Sequence, residues 1–445
     1  MSAESNPVRE LEMLRDLVVS SIDVVKGAVL EHQDPPLTLH AVDEHPIHRR
    51  DEKNVLYALK SIASAGQMLR ALCGPNTYLN DFTYGCHDQT SLLVACQADI
   101  PNLLAEGPGH IDELAAKTGL NAGVLARFLR NLCNSHIFEE VAPNTFANNA
   151  LSVRYRSEAL RAIVGHCIDG CRPASCKVWD AMTSPEFKNA TEPTKAPFNI
   201  AYDTPLDYFK YTTTVRPEMA KRTQKAMGGK AFNLGEYLSL YPWAREKDAH
   251  IVDVGGAIGA ATLPVLRAFP GLSLTVQDQP SSKPVFDKNL IDNFSEFVDT
   301  GIASFAPLDF FKEAPVKGAQ IYFLRHVIHD WPDVEAVQVL KSCASAMTPE
   351  SKLLICEHMV CPTYRAAGET QPRGDSQHDA PEPLLANWGD APTSRLDLQV
   401  YSFINAKQRT RVEYERLAEQ AGLESVQVWR NLGDLTIVEC RLRRE

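Results

Sequence analysis

His250-Ile251-Val252-Asp253-Val254-Gly255-Gly256-Ala257-Ile258-Gly259 is a short apolar run that breaks into small residues, and Leu263, Leu266 and Phe269 follow at helical spacing. The local reading is strand, tight turn, helix. Gly255, Gly256 and Gly259 let the backbone bend sharply and approach a ligand closely, because a Cβ there would collide or forbid the required φ. A second apolar run, Leu272 to Gln277, ends in Asp278 about twenty residues past the last glycine, where a strand-end carboxylate can accept hydrogen bonds from ribose hydroxyls. The turn lacks the dinucleotide glycine spacing, since Ala257 stands in the middle glycine's place. Asp253 also disfavours a phosphate and suits an ammonium group, so the expected ligand is a nucleoside that bears an amino acid.

Downstream, Leu324-Arg325-His326-Val327-Ile328-His329-Asp330-Trp331-Pro332-Asp333 puts an imidazole at a strand end. With an unperturbed pKa of about 6.5, histidine takes a proton near neutral pH. Asp253 to Gly259, Gln277-Asp278-Gln279-Pro280, Leu308-Asp309-Phe310-Phe311, Leu324-Arg325, His329-Asp330-Trp331 and Leu354 to Glu357 resemble, in order and spacing, the motifs of the plant-type S-adenosylmethionine-dependent O-methyltransferases, most closely the fungal secondary-metabolite branch. The resemblance covers residues 85 to 440. It implies an α/β fold, a Rossmann-like class I methyltransferase domain with an N-terminal helical, winged-helix-like dimerisation domain.

The same resemblance implies S-adenosylmethionine as cofactor. The backbone at Gly255 would hold its methionine moiety, Asp278 its ribose, and Asp309 with Phe310 its adenine. Trp331 would stack on the adenine, and Met227 matches a methionine near the methyl group. Arg325 stands where the family often has lysine, so the cation is kept with a different geometry. A hydroxyl attacks the sulfonium methyl poorly while it keeps its proton, and His329 matches the family's general base. His326 is read as structural. Glu357, at the end of the strand Leu353 to Cys356, matches the first acid that orients the base. The second should fall in Ala406-Lys407-Gln408-Arg409-Thr410, where related sequences usually show Glu-Arg-Thr; this chain has Gln408. An amide can hold an imidazole but cannot stabilise an imidazolium as a carboxylate does. The implied activity is methyl transfer to a hydroxyl of an aromatic or polyketide-type metabolite. The alternative is a methyltransferase-like cyclase or pericyclase that uses bound S-adenosylmethionine as a fixed positive charge; Gln408 permits it, whereas the intact His329-Asp330-Trp331 favours methylation.

The chain has 445 residues and formal net charge -11, without a long Lys/Arg run, which argues against nucleic acid or an anionic membrane as partner. No apolar stretch reaches the roughly 20 residues of a membrane span, and a soluble cytoplasmic protein is expected. The eleven cysteines show no disulfide spacing and read as thiols. No metal is expected: His166, Cys167, Cys171 and Cys176 lack a second ligand pair, and no carboxylate cluster of magnesium type stands out. The expected division is 1–54, N-terminal helix and linker; 55–165, winged-helix-like dimerisation domain; 166–242, helical connecting and substrate-pocket segment; and 243–445, cofactor-binding domain.

Leu11, Leu14, Val18, Ile22, Val25 and Val29 predict an amphipathic helix over residues 8–30. Further helices are expected over 55–72 and 91–104, then a helix, turn and helix over 111–140 and a hairpin over 137–152. This winged-helix pattern raises DNA recognition as a rival, but the second helix offers only Arg127 and Arg130 as cations. The resembling family dimerises through this subdomain, so a homodimer is implied. Residues 157–241 are rich in aromatics, including Trp179, Phe198, Tyr208, Phe209 and Tyr211; most read as core, with a subset facing a flat, apolar acceptor. Thr363 to Ser394, with four prolines, reads as a mobile, partly disordered insertion near the pocket mouth, with an ordered lid as the alternative. Leu435 to Cys440 is expected to supply a last, antiparallel strand.

Overall fold

The computed structural model describes residues 6–228, 236–365 and 380–444. The chain forms two compact units, Met1–Gly170 with Pro362–Asp390, and Cys171–Cys361 with Ala391–Glu445.

In the first unit, α1 (Arg9–Glu31) and α2 (Lys53–Cys73) bury Val25 and Ala28 against Ile47, Val55 and Ala58. There follow α3 (Pro75–Gln97), α4 (Ile100–Leu103), β1 (Gly109–His110), α5 (Ile111–Thr118), α6 (Ala122–Asn134), β2 (Glu139–Ala142) and β3 (Thr145–Ala147). Gly119, at φ +73°, closes α5, and Asn121 Oδ1 accepts the Val124 N–H at 3.0 Å to open α6. Leu114, Leu125, Leu129, Leu132, Phe138 and Phe146 bury the faces these caps orient, and the three strands pair in the order β1-β3-β2. The expected winged-helix pattern is therefore present. Arg130 forks onto Glu140 at 2.9–3.1 Å, so one of the two cations weighed for DNA is engaged within the unit.

Two expectations are corrected here. The helix expected over 91–104 begins at Pro75, because Leu79, Phe82 and Tyr84 lie exposed and erase the amphipathic signal of its first turns. It also breaks at Asp99, whose φ of +55° separates α3 from α4. Within the insertion expected to be mobile, residues 366–379 lie outside the described residues. Residues 380–390 instead pack: Trp388 is 4% exposed, edge-on to Tyr57 at 5.1 Å, and its carbonyl accepts the Ser64 hydroxyl at 2.8 Å. Leu384, Ala386 and Trp388 supply the apolar area that the prolines obscure in sequence.

The second unit is built on β4 (His250–Val254), β5 (Ser273–Asp278), β6 (Ala303–Pro307), β7 (Ile321–Arg325), β8 (Lys352–His358), β9 (Leu423–Arg430) and β10 (Leu435–Leu442), in the order β6-β5-β4-β7-β8-β10-β9. Strands β4 to β8 pair in parallel, and β10 is antiparallel to β8 and β9. The apolar runs alternate between two buried faces. Val252, Val254, Tyr322, Leu324, Leu353 and Ile355 line one core, and Ile251, Leu274, Val276, Phe323, Leu354 and Cys356 the other. Strand β9 carries exposed Glu424 and Val426 at the sheet edge, which hides it from an apolar-run reading. The order reverses between β4 and β7, so the turns after these two strands open together at the sheet's C-terminal edge, where open α/β sheets bind ligands.

Candidate active site

The glycine turn leaves β4 with Gly255 at φ +75°. A Cβ on Gly255 would lie 2.8 Å from Val327 Cγ2, so the missing side chain lets this turn abut the segment that carries His329. At Gly256 a Cβ would fall 2.4 Å from Asp253 Cγ. Asp253 is 1% exposed beneath the turn; Oδ2 accepts the Thr262 hydroxyl at 2.6 Å, and burial pushes its pKa up to about 7. Asp278, at the end of β5, accepts the Ala257 N–H at 2.8 Å and the Gln279 N–H at 2.6 Å, and burial raises its pKa.

Gly255→Ala is expected to destabilise the fold by about 1–2 kcal/mol for the left-handed backbone and about 1–3 kcal/mol for overpacking, and to weaken cofactor binding. Thermal unfolding and calorimetry read both effects. Adding Val327→Ala should recover the overpacking part; strictly additive losses in the double variant would show that the two turns do not meet through this contact.

After β7, His326 takes φ +54°, a conformation rare for a non-glycine residue, and Ile328–Asp330 forms a 3-10 turn. Glu357, near the end of the neighbouring strand β8, fixes this turn. Its Oε1 accepts the backbone N–H groups of Val327, Ile328 and His329 at 3.0, 2.9 and 3.3 Å. Its Oε2 stands 3.2 Å from Nδ1 of His329. Gln408 comes from the segment before helix Arg411–Gln420, whose capping box pairs Thr410 with Glu413. Asp397 accepts the Gln408 N–H at 2.8 Å, and the Gln408 side-chain amide meets Nδ1 of His329 at 2.7 Å. The opposite ring nitrogen, Nε2, has Asp330 Oδ1 at 3.4 Å.

His329 is 6% exposed and Glu357 1%. Burial lowers the His329 pKa, partly offset by Asp330 and the Gln408 hydrogen bond, so the ring is neutral near pH 7. Burial likewise pushes Glu357 up to about 7 and Asp330 up to about 6.

The remaining expected site residues divide. Phe310 and Trp331 come together through an edge-on contact at 6.1 Å, and Phe311 lies edge-on to Trp331 at 4.6 Å. Asp309 is ion-paired with Lys312 at 2.7 Å, which holds its carboxyl below the usual range. Arg325 ends β7 directly before His326. Met227 lies on helix Pro217–Gly228 and is 42% exposed. Two further participants have no individual role in the sequence reading, although Phe209 is among the aromatics it names. Phe209 packs on Trp331 at 5.6 Å, and the fully buried Arg409 guanidinium donates to the carbonyls of Ile328 and Trp331 at 2.9 and 2.8 Å. Only the Gln-Arg-Thr adjacency hinted at the second.

The sheet order, with the glycine turn at its switch point, defines the Rossmann-like fold of class I methyltransferases. The family model for the O-methyltransferase domain matches residues 185–424, and that for the O-methyltransferase dimerisation domain residues 80–158. The chain is 34% identical over 385 residues to 3-O-methyltransferase 2 of Phanerochaete chrysosporium, covering 85% of this chain and 84% of that one. The solved mitomycin 7-O-methyltransferase MmcR is 26% identical with TM-score 0.66, over 84% of this chain and 99% of that one. A pericyclic reaction enzyme, 18% identical, shares the fold at TM-score 0.72 over 96% of this chain and 100% of that one. This chain belongs to the plant-type, S-adenosylmethionine-dependent O-methyltransferase family, in its fungal secondary-metabolite branch. The residues present fit that cofactor: two glycines have no room for a Cβ at the switch point, a carboxylate ends β5, and an aromatic pair comes from the segments that follow β6 and β7. Among the described residues no helix is long and apolar enough to cross a membrane.

Proposed function

We propose that the enzyme methylates a hydroxyl of an aromatic or polyketide-type metabolite, with His329 as general base. The observation that carries this reading is the enclosure of His329 Nδ1 by Glu357 Oε2 and the Gln408 amide, which leaves Nε2 as the nitrogen able to meet an acceptor hydroxyl. Both Glu357 Oε2 and Gln408 Oε1 are buried and accept no hydrogen bond. With the amide oxygen turned toward the ring, a proton on Nδ1 serves both oxygens and keeps the Nε2 lone pair free for the acceptor proton. S-adenosylmethionine, when bound, supplies the methyl group. In this reading Gly255 and Asp278 support its amino-acid and ribose ends, Asp309 and Phe310 hold its adenine with Trp331 stacked on it, Arg325 supplies a cation near the cofactor, and Met227 stands near the methyl group. Glu357 and Gln408 are positioning residues.

Phe209, 38% exposed and packed on Trp331, supports a flat, apolar acceptor bound along the helical segment 166–242. Two relatives named as 3-O- and 7-O-methyltransferases support transfer to an oxygen of a small-molecule acceptor. The dimerisation-domain match supports a homodimer, and eleven cysteines without a disulfide among the described residues support a reducing, cytoplasmic setting.

Incubation with methyl-labelled S-adenosylmethionine and a panel of phenolic polyketides is expected to label a product. A substrate consumed without label transfer would overturn methylation in favour of a cyclase or pericyclase. Gln408→Glu is expected to raise turnover up to about tenfold at unchanged KM for the cofactor, because a carboxylate stabilises the imidazolium formed as the acceptor loses its proton. Unchanged turnover in a variant that folds normally would remove Gln408 as a partner of the base.

A further inference from the structure

The surroundings of His329 Nδ1 hold more lone pairs than a general base uses. Glu357 Oε2 lies 3.2 Å from that nitrogen and 4.0 Å from Nδ1 of His326. One ligating atom each from His326, His329 and Glu357 falls within 4.8 Å of the other two. The two imidazole rings are tilted by 59° with centroids 5.1 Å apart, so they do not stack. Glu357 Oε2 is buried without a hydrogen bond, and so is Gln408 Oε1 beside the same ring. The His326 side chain is 19% exposed against 8% and 2% for its two neighbours, so it is the least enclosed of the three. Its left-handed backbone, at φ +54°, is a strained conformation that the fold maintains at this point.

Two imidazoles and a carboxylate are the donor set of zinc-class divalent cations, which bind nitrogen and oxygen at about 2.0–2.2 Å. Two such bonds at a tetrahedral angle separate their donor atoms by about 3.4 Å. The separations of 3.2 and 4.0 Å, and of at most 4.8 Å between the two imidazoles, reach that value when the side chains close on the ion.

We propose that His326, His329 and Glu357 form an inhibitory site for a zinc-class divalent cation. The cation takes the Nδ1 lone pair of His329. The ring's single proton passes through solvent to Nε2, and a ring protonated there cannot accept a proton from a hydroxyl. Gln408, once turned, offers its amide oxygen as a further ligand. The inhibition rests on the general-base reading of His329, whereas the binding does not.

Chelator-treated full-length enzyme titrated with Co²⁺ is expected to bind one equivalent with visible d–d absorption and no thiolate charge-transfer band. Zn²⁺ should displace it. Methyl transfer should fall as Zn²⁺ is added and return with EDTA. His326→Ala and His326→Gln, checked for folding by thermal melts, are each expected to weaken binding beyond the about 10–100-fold typical of losing an outer-sphere partner. Absence of saturable binding, a thiolate band, or equal binding by folded His326 variants overturns the site. A metal-loaded enzyme that transfers methyl at full rate overturns the inhibition and tells against His329 as base, while leaving the binding site standing.

Discussion

His329→Ala is expected to slow methyl transfer by about 10²–10⁴-fold, the range that a positioned general base contributes. The loss should fall on kcat, because Nε2 acts only as the acceptor hydroxyl gives up its proton, whereas the glycine turn and Asp278, which would hold the cofactor, stand after β4 and at the end of β5. Single-turnover transfer of a labelled methyl group measures the first quantity, and calorimetric titration with the cofactor the second. The loss should shrink with an acceptor already ionised at the assay pH, since a base adds little to a hydroxyl that has lost its proton. A folded His329→Ala enzyme within about tenfold of wild type on an un-ionised phenol would remove the general base, because general-base effects start near a hundredfold. What would remain is alignment of the reactants, itself a large contribution to a bimolecular displacement.

The sheet was legible where strands are buried on both faces. Apolar runs marked β4, β5, β8 and β10, and the glycines marked the turn, because burial on both faces and close approach leave few residue choices. The edge strand β9 and the first half of α3 were not legible, since their exposed faces carry no periodic contrast. His329, Glu357 and Gln408 could be picked out only through a family likeness. Gln408 and His329 meet from 79 residues apart, and no local pattern encodes that closure. The nearness of Asp330 to Nε2, the role of Glu357 as acceptor for three backbone N–H groups, and the strained His326 are properties of the folded turn. Arg409 is the sharpest omission, because arginine is seldom fully buried and its type alone predicts a solvated surface.

Arg409→Leu is expected to cost about 3 kcal/mol, the lower end for breaking a buried ion pair, because its partner Asp333 remains 37% exposed. At roughly 2–4 °C per kcal/mol for a domain of this size, the melting temperature should fall by about 6–12 °C. The guanidinium does two things at once. Nε and Nη2 clamp Asp333 Oδ1 at 3.0 and 2.8 Å, while Nη1 and Nη2 hold the carbonyls of Ile328 and Trp331, which bracket His329, at 2.9 and 2.8 Å. Leucine fills the volume but leaves both carbonyls without this donor, so the turn is free to rotate the imidazole away from Glu357 and Gln408. A fall in kcat at unchanged cofactor affinity, measured well below the melting temperature, is therefore expected beyond the stability loss. Arg409→Lys should recover part of the stability through its charge and little of the kcat, since an ammonium cannot span two carbonyls and a carboxylate as a planar fork does. If both variants melt early yet turn over normally when folded, Arg409 supports the fold alone, and the orientation of His329 rests on Glu357 and Gln408.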